Sequence, residues 1–307
     1  MGLALIVVVF LFRGVDPLNI LRAMSSVGPY MLLVILTHLL ATSSSGLAWY
    51  PLARAAGINI GVAKAVRLVF IGSFASSFLP TSIGGDALRA WLAGRERGHY
   101  PAALWSIGTQ RAVGFTVLLG LVAVGCLTSP LAFEQMSALR GTILLFAGAL
   151  GLFWVGILCG APVHKLFAPF RGLARLTRIT RQSARKLKDN KRALLATLTF
   201  SVLFYSLGIF MNWLILYAMG QPVAWTKLTL IVPLVYFSTM LPFTINGIGI
   251  RENAYVFLLG SVGVSAVHVL GLSFLVTASY LVLAAIGAVF FTWERFSLPA
   301  TAGSNDA

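Results

Sequence analysis

Four charged side chains stand in otherwise apolar parts of this sequence. They are Asp86, Arg89, Arg251 and Glu252. A charge at the centre of a membrane-spanning helix costs about 2.5–3.5 kcal/mol on insertion scales, so such residues pair with each other or line a polar cavity. The four side chains therefore predict either a buried ion-pair network or a site for an anionic group, and the sequence leaves both open.

Two copies of one motif carry these charges. Residues 79–89 and 241–251 share the pattern Leu-Pro-x-(Ser/Thr)-Ile-x-Gly-x-x-x-Arg, offset by 162 residues. Pro80 and Pro242 each remove a backbone donor and bias the preceding leucine away from the helical region. Many transporter folds are built from repeats with Gly- or Pro-interrupted helices in matching places. The motif predicts a duplication with one broken, re-entrant helix in each half.

The breaks also supply groups that suit a phosphate. Glycines are expected to precede the helix starts after each break, where free N–H groups and the helix dipole favour an anion. Hydroxyl and amide side chains nearby could bind the same group or cap the unwound backbone, and both interpretations stay open. The candidate substrate-binding residues are Pro80, Ser82, Gly84, Gly85, Asp86, Arg89, Arg111, Pro242, Thr244, Asn246, Gly247, Gly249, Arg251 and Glu252.

Helix geometry suggests how the four charges pair. Asp86 and Arg89 are three residues apart and can share a helix face, whereas the adjacent Arg251 and Glu252 cannot face each other. We therefore expect pairs across the repeats, Asp86 with Arg251 and Glu252 with Arg89. Such pairing would satisfy all four charges at membrane depth.

The composition decides the class of protein. Of 307 residues, 58% are hydrophobic and 10% are charged, whereas soluble domains carry about 25% charged residues. Apolar stretches of about 20 residues recur, and each is long enough to cross a bilayer. This excludes a soluble globular enzyme. We expect an all-α polytopic membrane protein with about six full spans plus two broken re-entrant helical hairpins in inverted repeats.

The apolar stretches give the predicted spans. These lie at 3–12 (short or truncated), 30–50, 103–127, 142–160, 193–219 and 264–293, the last being one span or two, and the hairpins lie at 66–98 and 228–262. Two aromatic residues, Trp49 and Tyr50, are expected at the membrane interface. Arg111, which follows Gln110 inside a span, needs a polar neighbour unless it too lies at the interface.

The chain is predicted to form one transmembrane domain, 1–307. Repeat one covers about 28–128, a basic amphipathic cytoplasmic segment covers 161–192, repeat two covers about 193–293, and 296–307 is a flexible tail. Three predicted spans separate the two breaks, and an odd number of crossings inverts the second copy relative to the first.

The distribution of positive charge predicts the orientation. Lysine and arginine total 23 against 8 acidic residues, and ten of the 23 fall within 161–192. Because basic residues mark cytoplasmic loops, we place this segment and both termini in the cytoplasm, with sixteen basic residues on that side and four on the other. Apolar residues at helical spacing in 165–192 predict a helix on an anionic lipid surface, with a solvated basic linker as the alternative. No nucleic-acid partner is expected.

Motifs for nucleotide or metal chemistry are absent from the sequence. It has no P-loop, no Rossmann fingerprint and no HExxH, its four histidines are scattered, and its two cysteines lie in apolar segments. We expect no cofactor, no metal and no disulfide. Any transport would be driven by an ion gradient or by the substrate's own gradient.

The segment 78–89, the pair Gln110-Arg111 and the segment 241–252 resemble the flippase-like transmembrane family related to the membrane domain of lysylphosphatidylglycerol synthases. The resemblance covers nearly the whole chain and implies a domain that moves a lipid between leaflets of the bacterial cytoplasmic (inner) membrane. It also implies that the four charges, with their prolines and glycines, form the site. Two departures matter: the sequence contains no lysyl-transferring soluble domain, so lysylphosphatidylglycerol is not implied as substrate, and Gln110 stands where members often have an acidic residue.

Three functions are compatible with these observations. The leading hypothesis is a flippase or transporter, not an enzyme, for a phosphate-bearing lipid of anionic or polyprenyl/hopanoid type. The second is an intramembrane lipid-modifying enzyme with Asp86 or Glu252 as general base, which lacks a convincing nucleophile or metal cluster. The third is an ion-coupled small-solute transporter. The expected partner is a membrane phospholipid or other lipid; a homo-oligomer and a separate lipid-synthesising enzyme are left open.

Overall fold

The computed structural model describes residues 16–79, 82–94, 99–128, 190–239 and 249–296, together with a few residues between 147 and 154. The predicted spans at 3–12 and, almost entirely, at 142–160 lie outside the described residues. So do nearly all of the basic segment 161–192 and the tail beyond residue 296. Both motif breaks, at 80–81 and 240–248, are outside as well.

The described residues form α-helices joined by short loops, without a β-strand among them. The helices are α1 (Pro17–Ser25), α2 (Met31–Ala55, preceded by a 3₁₀ turn at Gly28–Tyr30), α3 (Val62–Phe78), α4 (Ser82–Gly94), α5 (Tyr100–Thr128), α6 (Lys191–Ala218), α7 (Trp225–Thr239), α8 (Ile250–Gly260) and α9 (Ala266–Phe296).

Four helical segments are long and apolar enough to cross a membrane: Gly28–Ala55, Tyr100–Thr128, Lys191–Ala218 and Ala266–Glu294. They coincide with the spans predicted at 30–50, 103–127, 193–219 and 264–293. The last of these lies in one continuous helix. Pro51 is accommodated inside α2 near its C-terminus.

Two pairs of shorter helices, α3 with α4 and α7 with α8, lie at the sequence positions of the predicted hairpins. Helix α3 has 17 residues and α8 has 11, which gives lengths of about 26 and 17 Å at 1.5 Å per residue, less than the ~30 Å hydrocarbon core. Helix α3 packs on α4, and α7 packs on α8. Leu79 leaves the helical conformation (φ −88°, ψ 145°) directly before Pro80, as expected for a residue that precedes proline.

Each short helix pair packs against long helices of both halves of the chain. Helix α3 contacts α9 and α2, α7 contacts α5 and α6, and α2 contacts α6. Close approaches fix these crossings: a Cβ on Gly287 of α9 would lie 2.2 Å from the Phe70 carbonyl oxygen of α3, and one on Gly125 of α5 would lie 2.7 Å from Cβ of Leu230 in α7. Two main apolar clusters result, one around each hairpin, and polar side chains lie between them.

One predicted interface residue is buried instead. Trp49 is fully buried, and its indole Nε1 donates a hydrogen bond to Ser106 Oγ at 2.9 Å. It lies where α2 faces α5, so its N–H finds a partner inside the protein and does not need the membrane surface.

Candidate functional site

A cavity of about 250 Å³ lies among helices α2, α3, α4, α5, α6 and α9. Its polar lining comes from side chains on all six helices. These are His38, Thr42, Ser45, Ser73, Ser76, Asp86, Arg89, Gln110, Arg111, Ser201, Tyr205 and Tyr280. Among the residues that the structure describes, the charged groups on this wall are therefore two guanidinium groups and one carboxylate, all on α4 and α5.

Asp86 lies between the two arginines of the cavity. Its Oδ2 accepts a hydrogen bond from Arg111 Nε across the α4–α5 contact, and its Oδ1 is 3.8 Å from Arg89 Nη2 one helical turn away. The Arg111 side chain is 36% exposed, whereas that of Arg89 is 6% exposed. The polar neighbour predicted for Arg111 is therefore Asp86, and Arg111 is the more accessible of the two cations.

Besides its contact with Asp86, Arg89 is held by Gln110 and Trp49. Its Nη2 donates to Gln110 Oε1 at 2.9 Å, its guanidinium carbon lies 4.6 Å from the centre of the Trp49 ring, and Gln110 Nε2 in turn donates to the Ser45 carbonyl oxygen at 2.8 Å. Its Nε is buried and has no hydrogen-bond partner within the described part of the chain. Arg89 is thus oriented by packing and keeps one donor without an acceptor.

The predicted pairs across the repeats are wrong, because each half pairs its own charges. Arg251 Nη2 lies 2.9 Å from Glu252 Oε1, although the two residues are adjacent. The pair forms because the Glu252 side chain folds back over the N-terminus of α8, and Arg251 reaches across it to donate also to Thr277 Oγ1 at 2.6 Å. Ser273 Oγ donates to the same Glu252 oxygen at 2.7 Å.

The N-terminus of α8 is occupied by its own carboxylate. Gly249, at φ 89°, precedes the helix, a conformation that favours glycine, and its N–H donates to Glu252 Oε2 in a capping box. The predicted anion site required a free backbone N–H at the start of this helix. Glu252 supplies the negative charge that the helix dipole favours, so Arg251 and Glu252 form a closed cluster rather than part of the cavity wall.

Gly84 and Gly85 lie within α4, not before it, because the helix begins at Ser82. A Cβ on Gly85 would lie 2.1 Å from Ser76 Oγ and 2.2 Å from the Gly72 carbonyl oxygen. Gly85 therefore lets α4 pack directly on the backbone of α3. Of the other candidates, Pro80, Pro242, Thr244, Asn246 and Gly247 lie outside the described residues, as does the side chain of Ser82.

Sequence reasoning missed the contribution of α2. His38, Thr42 and Ser45 line the cavity, and Trp49 supports Arg89. Their spacing of four, three and four residues places them on one helix face, a signal that the apolar background of this span obscures. His38 Nδ1 is 2.8 Å from Ser279 Oγ, and its ring packs edge-on against Tyr280. No group of three metal-ligating side chains occurs within the described ranges.

The comparison with protein families gives a match over most of the chain. A family model described as "Lysylphosphatidylglycerol synthase TM region" matches residues 1–287. The chain belongs to this family. Comparison with curated proteins and with solved structures gives no match.

Membership of the lysylphosphatidylglycerol synthase transmembrane family confirms the resemblance carried by the two motifs. Together with the four long apolar helices, it makes the chain a multi-pass membrane protein of a lipid-related family. The assignment of particular residues to substrate binding stays a prediction.

Proposed function

We propose that this protein is a flippase or transporter that moves a phosphate-bearing lipid between leaflets, with the head group in the cavity and the acyl chains in the membrane. The observation that carries the proposal is a cavity with two arginines and one carboxylate inside a bundle of apolar helices. Arg111 lies 11 residues after the start of α5, about 16 Å along the helix axis. The site is therefore proposed to lie well inside the hydrocarbon region.

Alternating access needs two halves that can exchange roles, and the helix packing supports such a duplication. If α2–α5 are exchanged with α6–α9, the α3–α9 contact becomes α7–α5, the α2–α5 contact becomes α6–α9, and α2–α6 maps onto itself. Gly125 and Gly287, which lie at the two crossings of hairpin with long helix, are also 162 residues apart. We propose that the halves are inverted repeats and that α3–α4 and α7–α8 are re-entrant hairpins.

The ends of the bundle support the orientation derived from charge. Lys64, near the start of α3, lies 3.7 Å from Glu294, near the end of α9. Thr197, near the start of α6, donates to the Ala48 carbonyl oxygen near the end of α2 at 2.9 Å. These helix ends share one side of the bundle with the basic residues assigned to the cytoplasm. We propose the cytoplasmic membrane as the location, with both termini in the cytoplasm.

We further propose transport without catalysis. Asp86, the candidate general base of an enzyme, is engaged by Arg111 and lies next to Arg89. Its Oδ2 already accepts from Arg111 and its Oδ1 faces Arg89, so neither oxygen is free to approach a proton of a substrate. Its role in the proposal is to hold the arginines while the site lacks an anion.

Leaflet exchange in liposomes tests this function. Purified protein is reconstituted with phosphatidylglycerol that carries an acyl-chain label and a native head group, and exchange is followed by oxidation of the outer-leaflet diol with impermeant periodate. We expect the protein to accelerate exchange, the Arg89→Gln, Arg111→Gln double variant to reduce it at least tenfold, and Arg22→Gln, an exposed control on α1, to leave it unchanged. Normal exchange in a double variant with a wild-type melting temperature would overturn the proposed site.

A further inference from the structure

We propose that the cavity selects a monoanionic phosphodiester with a small hydroxylated head group, and that it excludes a lipid whose head group is aminoacylated and cationic. This rests on the proposed transport function and specifies its substrate class. The carrying observation is that the described residues of the cavity wall hold two guanidinium groups and a single carboxylate that already contacts both.

The net charge of the wall decides the sign of the ligand. Among the described lining residues, Asp86 compensates one of the two arginines, and one positive charge remains without a counter-charge. The nearest further pair, Arg251 with Glu252, is neutral as a whole. In a low-dielectric interior an uncompensated charge is costly, and a head group with one negative charge neutralises it. A cationic head group would add to it.

An ammonium group would find hydroxyl acceptors but no free carboxylate among the described residues of this cavity. A buried charge is stable when it is paired, and Asp86 is the acidic residue among the described lining residues. Asp86 is engaged by Arg111, so binding an ammonium there would strip a guanidinium of its counter-charge. The ammonium would also bring a further positive charge to described lining residues that already carry a surplus of one, whereas an anion would neutralise that surplus.

A phosphate, by contrast, finds donors in place. Arg111 is partly exposed to the cavity, so a phosphate oxygen can replace the Asp86 carboxylate on it in a charge-assisted, bidentate contact. Arg89 carries the buried Nε that lacks a hydrogen-bond partner within the described ranges. We assign to Asp86 the role of an internal counter-ion. The phosphate displaces Asp86 from Arg111 when it enters the cavity, and Asp86 pairs with Arg111 again when the phosphate leaves.

The rest of the wall suits hydroxyl groups. Thr42, Ser45, Ser73, Ser201 and Tyr205 present hydroxyls that can both donate and accept. These residues lie on α2, α3 and α6, so they reach the cavity from several directions. A head group with its own hydroxyls can therefore exchange hydrogen bonds with more than one helix of the wall.

Exchange of matched lipids tests the proposal. Liposomes contain labelled phosphatidylglycerol, its lysyl ester or phosphatidylethanolamine in separate preparations; impermeant periodate detects the diol, and impermeant trinitrobenzenesulfonate detects the amines. We expect the wild-type protein to exchange phosphatidylglycerol at least tenfold faster than the lysyl ester. Equal rates for all three lipids, or faster exchange of the lysyl ester, would overturn the substrate class while transport itself stands. Failure to accelerate any of the three would instead overturn the proposed function.

A charge series at one position makes the test specific. Arg111→Gln removes the surplus positive charge and should abolish the preference for phosphatidylglycerol, whereas Arg111→Lys should retain it in part because the charge stays but the planar fork is lost. Arg22→Gln should keep the wild-type preference. An unchanged preference in a folded Arg111→Gln variant would contradict the charge argument.

A further arm separates a lipid from a soluble phosphate. Radiolabelled glycerol phosphate is offered outside the same liposomes, and its uptake is measured. The proposal expects no uptake above protein-free liposomes, because the acyl chains supply the binding energy outside the cavity. Uptake that depends on Arg111 would overturn the lipid assignment and favour a small-solute transporter.

Discussion

At the scale of single residues, the two halves use the same arginine of the repeated motif in different ways. Arg251 is fully engaged by Glu252 and Thr277. Arg89 instead packs on Trp49 and shares Asp86 with Arg111. A buried cation that pairs with its own carboxylate forms a neutral local cluster. Two cations that share one carboxylate keep a net positive charge, which an anionic ligand can neutralise.

Arg251 is therefore expected to contribute to stability more than to transport chemistry. Arg251→Gln leaves the buried carboxylate of Glu252 without its cation, and loss of one partner from a buried pair costs about 3–5 kcal/mol. We expect a clear fall in melting temperature, measured by thermal unfolding in detergent. The matched variant Arg22→Gln on exposed α1 should melt like the wild type.

The partner of Arg251 can be identified in the same experiment. Glu252→Gln combined with Arg251→Gln should melt above Arg251→Gln alone, because no buried charge is left without a partner. Asp86→Asn combined with Arg251→Gln should give no such recovery. Recovery of the melting temperature with Asp86→Asn would instead indicate that Arg251 pairs with Asp86, as the sequence predicted, and would contradict the structure.

At the scale of helices, glycine decides how closely α3 and α4 approach. A Cβ on Gly85 would lie within 2.2 Å of both Ser76 Oγ and the Gly72 carbonyl oxygen. The second of these is backbone, which cannot rotate away. The same two helices carry Ser73, Ser76, Asp86 and Arg89 of the cavity wall, so this contact sets the shape of the site.

Gly85→Ala should separate the two helices. Overpacking of this kind costs about 1–3 kcal/mol, and we expect a lower melting temperature together with slower lipid exchange. Gly108→Ala is the matched control, since a Cβ on Gly108 of α5 meets no atom within 4 Å and alanine favours a helix interior by up to about 1 kcal/mol. If both variants melt alike, the close contact between α3 and α4 is not present in the protein.

At the scale of the whole molecule, the helix contacts support two halves related by a two-fold axis. The sides of the membrane on which the helix ends lie test this arrangement directly. The start of α3 and the start of α9 are expected on opposite sides of the membrane. Ala63 and Ala266 are exposed at these two places. Ala63→Cys and Ala266→Cys, each in a chain whose Cys126 and Cys159 are replaced by alanine, provide a matched pair.

We expect an impermeant maleimide to label the Ala266→Cys variant in intact cells and the Ala63→Cys variant after permeabilisation only. The reason is the sixteen-to-four distribution of basic residues, which places the start of α3 in the cytoplasm. The reverse pattern would invert the topology. Labelling of both variants in intact cells would contradict the proposed inverted arrangement of the hairpins.

The sequence by itself determined the class of the protein and much of its layout. Apolar stretches of bilayer length fix the positions of long helices, because every backbone polar group in lipid must be satisfied within the segment. Pro80 ends α3 at the predicted residue, since proline constrains the residue before it through local sterics alone. The candidates Asp86, Arg89 and Arg111 were likewise identifiable, because charge is rare in such segments.

Only the tertiary structure decided which charges meet. Side chains of Arg and Glu are long and flexible, so neighbours such as Arg251 and Glu252 can pair where helix geometry predicted that they could not. The packing of α2 against α5 and α6 placed His38 and Ser45 on the cavity wall and Trp49 beneath Arg89. Spacing along one helix assigns residues to a face, but it does not say what the face meets, and that depends on contacts between helices distant in sequence.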